Sequence, residues 1–315
     1  MYPATSSPSV KPTLNLSLNP SYYCNFRCSF CYLTDEQLGD KQRLKLSRLF
    51  ERVDEVLAVA EVGMVDLYGG EPLLLPVEYL TELKAGLHLR GIDDLNIITN
   101  LSMNNPVVHD PDWYLSVSYD FDAREKSDLV FQQMLKMERE FCILMLASPA
   151  LLAKNPDEII GTLNLLANLS SVEIKPYSPN QANQLPVSYP EYEAFIKVLH
   201  ARRDEMKFDF VNAQQLDEVI AGRGNAFSDD HVYVTPTGKF GVLEFDAQDN
   251  EFFLELDSID EYFAWCVTEK ERVQNSGCSG CRYLGRCLSE HLRDVQSTEY
   301  SCNGFIHLIQ WAEQQ

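Results

Sequence analysis

Three cysteines stand close together near the start of the chain, in the stretch YYCNFRCSFCYL. They are Cys24, Cys28 and Cys31, and their spacing is C-x3-C-x2-C. A tetrahedral zinc site would need a fourth cysteine or histidine nearby, and no histidine occurs before residue 88. Three thiolates on one loop suit an iron–sulfur cluster of the 4Fe–4S type, whose fourth iron stays open for a ligand that is not a side chain.

A second cysteine group lies near the other end, with the spacing Cys278-x2-Cys281-x5-Cys287-x14-Cys302. Four thiols at this density indicate a metal centre, and the sequence alone permits a four-thiolate zinc site or an iron–sulfur cluster. The chain has nine cysteines, and an odd number argues for reduced metal ligands rather than a disulfide framework. Cys142 and Cys266 are expected to be buried small side chains instead of ligands.

Hydrophobic periodicity predicts the strands and helices that must position the first cysteine group. Short apolar runs alternate with amphipathic helical stretches, which predicts an α/β fold with a parallel sheet wound as a partial (β/α)6, TIM-like barrel. The six predicted strands are 13–18, 64–68, 95–99, 113–118, 141–146 and 171–175. The helical signals are 46–60, 76–89, 127–140, 156–169 and 189–205. The first cysteine group directly follows the first strand, at the end of the barrel where ligands bind.

The alternation of predicted strands and helices ends after about residue 208. We expect residues 1–208 to form the barrel, 209–230 to be a linker region and 231–315 to form a small auxiliary domain. That domain should contain a β-hairpin turning at Pro236-Thr237-Gly238, a helix over about 258–274 and then the second cysteine group.

Cys24, Cys28 and Cys31 after strand one, Phe30 before the last of them, and the sequence GGEP at the end of strand two together resemble the radical SAM superfamily. The resemblance covers about residues 13–205. It implies that S-adenosylmethionine (SAM) chelates the open iron, and that reductive cleavage of SAM gives a 5′-deoxyadenosyl radical that abstracts hydrogen from a substrate. The cofactor-binding residues it implies are Phe30 against the adenine, Gly69, Gly70 and Glu71 at the SAM amino group, and Asn100 and Ser118 at the ribose or carboxylate.

The second cysteine group resembles the SPASM domain of radical SAM enzymes that modify peptides. By this resemblance Cys278, Cys281, Cys287 and Cys302 hold one auxiliary 4Fe–4S cluster. The full pattern has a further cysteine where this chain has His291, and the predicted hairpin lacks the cysteines that would hold a second auxiliary cluster. We therefore expect two 4Fe–4S clusters per chain, and a role of His291 or Cys266 as a metal ligand stays open.

The substrate is less well indicated than the radical chemistry. The SPASM resemblance favours a ribosomally synthesised peptide that undergoes cross-linking, cyclophane or thioether formation, or epimerisation. The alternative is a radical dehydrogenase or epimerase of a sugar or aminocyclitol, and a distant alternative is a non-enzymatic iron–sulfur or zinc protein. Lys175, Tyr177 and Asn180, after strand six, are the substrate-side candidates. Expected partners are a flavodoxin- or ferredoxin-type reductant and, as a further candidate, a separate peptide-recognition protein.

The charge balance limits the other partners. The chain has 47 acidic and 26 basic side chains and a net charge of −21, which disfavours nucleic acid and anionic membranes. The sequence shows no signal peptide and no stretch of about 18 apolar residues, so we expect a cytoplasmic protein.

Overall fold

The computed structural model describes residues 11–176, 187–227, 229–246, 251–289, 302 and 304–315. Its strands are β1 (Thr13–Leu18), β2 (Glu61–Leu67), β3 (Leu95–Thr99), β4 (Trp113–Ser118), β5 (Phe141–Leu146), β6 (Leu169–Lys175), β7 (Asp209–Phe210), β8 (His231–Val234), β9 (Phe240–Asp246) and β10 (Glu251–Leu256). Its helices are α1 (Asp35–Gly39), α2 (Leu46–Val59), α3 (Val77–His88), α4 (Ser127–Met134), α5 (Pro149–Leu152), α6 (Pro156–Leu163), α7 (Tyr189–Ala201), α8 (Val211–Ile220), α9 (Ile259–Gln274) and α10 (Ile306–Ala312).

The described strands form one sheet in the order β10-β9-β8-β1-β2-β3-β4-β5-β6-β7. Strands β1 to β7 are parallel to their neighbours, and helices cover the outside. Ser17 on β1 and Glu173 on β6 line the same cavity, so the sheet curls around an interior space. The predicted α/β partial barrel is confirmed. β1, β3, β4 and β5 have the predicted bounds, and β2 and β6 begin earlier than expected.

The two faces of a barrel strand contact different surroundings. On β1, Leu14, Leu16 and Leu18 are fully buried in the apolar core, while Ser17 between them lines the interior cavity. Outside the sheet, the buried face of α2 packs near β2 and α3. The alternation of strand side chains therefore gives the barrel an apolar outer layer and a partly polar interior.

The C-terminal part of the chain continues the sheet. The predicted hairpin is present as the antiparallel pair β8–β9, with Gly238 in its turn at φ +78°. However, β8 also pairs in parallel with β1, from Asn15↔His231 to Leu18↔Val234, and β10 adds an antiparallel strand that we did not predict. The boundary expected at residue 231 thus does not coincide with a break in the sheet. The free edge of β1 needs backbone partners, and β8 supplies them.

The segment expected as a linker, 209–230, contains regular structure in its first half. β7 and α8 occupy residues 209–220, and Asn212 of α8 accepts the Ile174 N–H at 2.8 Å and donates to the Ile174 carbonyl at 2.8 Å. Only the stretch from Ala221 onward is irregular where the structure describes it. Among the described residues, no helix is long and apolar enough to cross a membrane.

Candidate functional site

A cavity of about 760 Å³ occupies the interior of the curled sheet. Side chains from β1 to β6 and from β8 line it, and so do all three cysteines of the first group. Phe305, just before α10, also lines the cavity, and its ring packs against Tyr192 with 4.8 Å between ring centroids. The end of the chain therefore helps to close the space that the sheet surrounds.

The first cysteine group forms a loop held by backbone hydrogen bonds. The Cys24 N–H donates to Leu38 of α1 at 3.1 Å, and the Cys31 N–H donates to the Cys28 carbonyl at 3.0 Å. The pKa of the Cys24 thiol is raised to about 11, mainly by burial and to a smaller extent by Glu71, Cys31 and Cys28, against a backbone hydrogen bond from Phe26. Three thiols that influence one another in a buried space are the donor set of a thiolate-ligated metal group.

Arg124 is a functional residue that the sequence reasoning missed. Its guanidinium donates to Cys28 Sγ at 3.8 Å and lies 5.1 Å from the centre of the Phe30 ring. It is held in place by Asp120, which has no exposed surface and lies 2.6 Å away. Burial raises the pKa of Cys28, and the positive charge of Arg124 opposes that increase. The signal in the sequence was an arginine four residues after Asp120, in the loop that follows a barrel strand.

The glycine pair after β2 is required by the cysteine loop itself. A Cβ atom at Gly70 would lie 2.3 Å from the carbonyl oxygens of both Tyr22 and Tyr23, and one at Gly69 would lie 2.6 Å from the Ser21 carbonyl. Gly69 also has φ +124°, which other residues rarely adopt. We expected these glycines to admit the SAM amino group. The structure gives them an additional role, which is to let the two loops pack backbone to backbone.

Glu71, which we expected at the SAM amino group, has its carboxylate bound by the chain itself. It is 3% exposed, and its carboxylate accepts three hydrogen bonds, from the Leu73 N–H at 2.9 Å, the Thr99 hydroxyl at 2.6 Å and the Asn100 N–H at 2.7 Å. Burial raises the pKa of Glu71, and these hydrogen bonds oppose the increase. The side chain therefore braces the ends of β2 and β3 against each other and does not line the cavity.

The other predicted site residues are distributed as follows. Phe30, Asn100, Ser118 and Lys175 line the cavity. The Asn100 amide donates to Cys24 Sγ at 3.9 Å, so it lies against the cysteine loop. Tyr177 and Asn180 fall outside the described residues.

The first cysteine group fits the iron–sulfur cluster that its spacing suggests. The three thiols face one cavity, a cation lies beside one of them, and the backbone of the loop is fixed. Among the described residues, no three His, Cys, Asp or Glu side chains are grouped closely enough to hold a single metal ion. In a cubane cluster each sulfur ligates a different iron, so its ligands stand further apart than those of one zinc ion.

The structure also places the cysteines of the second group near one another. The pKa of Cys287 is raised to about 12, mainly by burial, and the nearby Cys302, Cys278 and Cys281 contribute to the increase. A Cβ atom at Gly304 would lie 2.8 Å from Cys287 Sγ and 3.5 Å from Cys302 Sγ, so these two sulfurs flank one glycine. His291 falls outside the described residues.

The two remaining cysteines lie elsewhere. Cys266, on α9, is buried in the apolar core as expected. Cys142, on β5, is only half-buried; it lines the cavity and makes a 3.4 Å contact with the Ser170 hydroxyl.

Sequence comparisons identify relatives for the first part of the chain. Residues 18–114 match the model of the radical SAM superfamily. A probable GTP 3′,8-cyclase of Saccharolobus solfataricus is 30% identical over 105 residues, which are 31% of this chain and 31% of that protein. A probable GTP 3′,8-cyclase of Saccharolobus islandicus is 32% identical over 90 residues, 29% of this chain and 28% of that one. The chain thus spans about a third of the length of the curated relatives that it matches.

Structural comparison extends the likeness over nearly all of the chain. The structure of anSMEcpe with bound AdoMet superposes with a TM-score of 0.70 at 15% identity, covering 96% of this chain and 99% of that one. Streptococcus suis SuiB bound to precursor peptide SuiA gives a TM-score of 0.54 at 14% identity, with 73% of this chain and 59% of that one covered. At these identities the likeness concerns the fold. The match to the radical SAM superfamily model over residues 18–114 includes the cysteine loop and the glycine pair, so this part of the chain is similar to that superfamily.

Proposed function

We propose that the protein cleaves SAM reductively and uses the resulting radical to abstract hydrogen from a peptide. The observation that carries this proposal is the placement of Cys24, Cys28 and Cys31 on one braced loop, facing a cavity large enough for SAM and part of a substrate. When bound by these thiolates, a 4Fe–4S cluster supplies the single electron for SAM cleavage.

The residues around the loop have distinct roles in this proposal. Arg124 places a positive charge beside Cys28, which stabilises the thiolate form and offers a donor to an anionic group of the cofactor. Phe30 provides an apolar face in the cavity wall. Glu71 fixes the Asn100 backbone, so the Asn100 side chain keeps its position against Cys24. Ser118 lines the same cavity and is the candidate for a ribose or carboxylate contact.

The C-terminal cysteines are proposed to hold one auxiliary 4Fe–4S cluster. Supporting observations are the four thiols that approach one another and the absence of cysteine from the sequence of β8, β9 and β10, where ligands for another cluster would be expected. Four protein ligands leave no open iron, so this cluster would serve folding or electron transfer.

A peptide substrate is supported by the likeness that spans the chain. anSMEcpe with bound AdoMet and the Cp18Cys peptide covers 96% of this chain at a TM-score of 0.68, and SuiB has been solved with its precursor peptide. The modification would be a cross-link, a cyclophane, a thioether or an epimerisation. A flavodoxin- or ferredoxin-type protein would supply the electron, and a separate recognition protein could deliver the peptide.

A small-molecule substrate is the second candidate. It is favoured by the sequence relatives, whose name specifies a nucleotide as substrate, although they match only residues within about a third of the chain. The interior of the barrel is also partly polar, which suits a sugar or aminocyclitol as well as a peptide side chain.

One experiment separates the two candidates. The anaerobically reconstituted protein, with dithionite and SAM, is given the low-molecular-weight fraction of a lysate from its own organism, and released 5′-deoxyadenosine is measured. A peptide substrate predicts stimulation that disappears when the fraction is first digested with a broad-specificity peptidase, which is then inactivated. Stimulation that survives digestion supports the small molecule, and no release of 5′-deoxyadenosine under any condition contradicts SAM cleavage.

A further inference from the structure

A row of polar side chains crosses the interior of the barrel below the cysteine loop. Ser17, Asp66 and Asn96 are register partners on β1, β2 and β3, so they stand side by side on the inner face of the sheet. All three line the cavity, and so does Ser116 of β4. A closed (β/α)8 barrel is normally filled by branched apolar residues, whereas here polar side chains face an interior cavity. This polar row is therefore a departure that needs an explanation.

Three members of the row form a directed chain of hydrogen bonds that ends at Asp66, whereas the Ser17 hydroxyl contacts His231 Nε2 instead. The Ser116 hydroxyl donates to Asn96 Oδ1 at 3.1 Å, and the Asn96 amide donates to Asp66 Oδ1 at 2.7 Å. Asp66 makes no further hydrogen bond and no ion pair within the described part of the chain. Its Oδ2 atom is therefore left as an acceptor in the cavity wall, although the residue is only 8% exposed.

A buried carboxylate without a cationic partner is costly, so a cation that binds beside it is stabilised. The basic side chains among the described cavity-lining residues are Arg124, Lys175 and His231. His231 Nε2 lies 2.8 Å from the Ser17 hydroxyl, and the other two are beside carboxylates. Arg124 lies 2.6 Å from Asp120, and Lys175 lies 4.0 Å from Glu173. Asp66 therefore places in the cavity wall a carboxylate that forms no ion pair within the residues that the structure describes.

The position of Asp66 relative to the cysteine loop matters. It lies near the end of β2 and precedes Gly69 by three residues, which places it at most about 10 Å from the glycine pair. The same cavity contains the cysteines and Asp66, so one molecule can occupy both levels. A substrate whose reacting carbon lies near the loop can thus extend a longer arm to the polar row.

We propose that Asp66, held in place by Asn96 and Ser116, is a specificity-determining residue that binds a cationic donor group of the substrate, an ammonium or guanidinium, inside the barrel. For a peptide this group is a lysine- or arginine-like side chain, and for a small molecule it is an amine. The inference rests on the proposed function only in taking this cavity as the reaction chamber. A carboxylate with one free oxygen selects a charged donor over a neutral or anionic group.

The test uses the holoprotein with SAM and three small probes, n-butylammonium, n-butylguanidinium and neutral n-butanol. Isothermal titration calorimetry at millimolar probe concentrations gives each dissociation constant for the wild type and for Asp66→Asn. The two cations are expected to bind the wild type and to lose affinity at least about tenfold in Asp66→Asn, and butanol should bind both proteins equally. The stronger of the two cations identifies the preferred head group.

Two further variants keep the test decisive. Asp54→Asn removes the same charge on the outside of α2, where Asp54 pairs with Arg90 at 2.6 Å, and should leave cation binding unchanged. Ser116→Ala removes the far donor of the row and should weaken cation binding about two- to threefold, even if Asp66→Asn does not fold.

The outcomes separate this inference from the proposed function. Equal cation affinity in the wild type and in both cavity variants, or no cation binding by the wild type, overturns the inference. Release of 5′-deoxyadenosine is measured on the same wild-type preparation. A preparation that releases none contradicts SAM cleavage, whatever the probes do.

Discussion

The two cysteine groups of this chain are held in different ways. Around Cys24, Cys28 and Cys31, the polypeptide supplies buried side-chain braces: Glu71 ties β2 to β3, and Asp120 fixes Arg124 against Cys28. Each brace comes from the end of a barrel strand, so the sheet itself sets the position of the loop. This group lies within a frame that the apolar core already stabilises.

The segment around the second group is held mainly by short hydrogen-bonded backbone turns. The Cys281 N–H donates to the Cys278 carbonyl at 3.0 Å, and the Leu284 N–H donates to Cys281 at 3.1 Å. Gly280 and Gly285 both have positive φ, which marks tight turns rather than helix or strand. In this segment Tyr283 is buried in the main core, whereas Cys278 belongs to a small separate cluster with Ala226 and Val273. We therefore predict that the first loop keeps its shape without metal, whereas the second group needs the cluster proposed for it in order to fold.

The largest expected effect is on SAM cleavage. Replacing Cys24, Cys28 and Cys31 together with Ala should abolish 5′-deoxyadenosine release and lower the iron content from about eight to about four atoms per chain, because one of two clusters is lost. Iron and sulfide analysis, with Mössbauer spectroscopy on anaerobically purified protein, measures this. Cys266→Ala removes a core thiol outside both groups and is the control. Retained cleavage in the triple variant would contradict the assignment.

The second effect concerns folding of the C-terminal segment. Replacing Cys278, Cys281, Cys287 and Cys302 with Ala should raise the rate of amide hydrogen exchange over residues 278–287 by at least about tenfold, since the turns lose the metal that joins them. Exchange in β1 to β6 should stay unchanged, because those strands have their own core. Unchanged protection of residues 278–287 would show that the turns fold without metal. An iron count near four with one zinc in the wild type would assign zinc to this group instead, and a count near twelve would mean a second auxiliary cluster.

The elements that position the site were largely predictable from the sequence, because they depend on local patterns. The six barrel strands follow from runs of apolar residues, and the cysteine loop follows the first of them. The pairing of β8 with β1 was not predictable, because Asn15 and His231 are far apart in the chain and no local signal joins them.

The roles of Glu71 and Arg124 were inaccessible for a different reason. The sequence shows that an acid follows the glycine pair, but not where its carboxylate points. The Glu71 carboxylate accepts three hydrogen bonds from two loops. Two of the donors are Thr99 and Asn100, at the end of another strand. Arg124 acts near Cys28 only because Asp120 fixes its orientation. Such contacts depend on the assembled barrel, so a residue-type pattern cannot specify them.

The third effect tests how tightly the first loop is held. In Gly70→Val the new Cβ would lie 2.3 Å from two backbone oxygens, so the loop must shift, at a cost of about 1–3 kcal/mol or more in unfolding free energy. The dissociation constant of SAM should rise as well, since the cysteine loop moves with its neighbour. Gly161→Ala is the matched control because no heavy atom lies within 4 Å of its Cβ position in α6, and it should stabilise by about 0.5–1 kcal/mol. Thermal unfolding and calorimetry that find no change in Gly70→Val would contradict the packing described here.

The smallest effect isolates a single brace of the first group. Thr99→Val removes the hydroxyl that donates to Glu71 at 2.6 Å while keeping the shape of the side chain. The buried carboxylate then loses one of three donors, so the unfolding free energy should fall by about 1–3 kcal/mol even in protein without clusters. Thr81→Val removes an exposed hydroxyl that donates to the Val77 carbonyl on α3, and its cost should stay within about 0.5 kcal/mol. Urea unfolding of the apoproteins compares the two. If Thr99→Val matched Thr81→Val in the apoprotein and lost stability only with clusters bound, the first loop would depend on its metal as the second does, and the difference between the two groups would disappear.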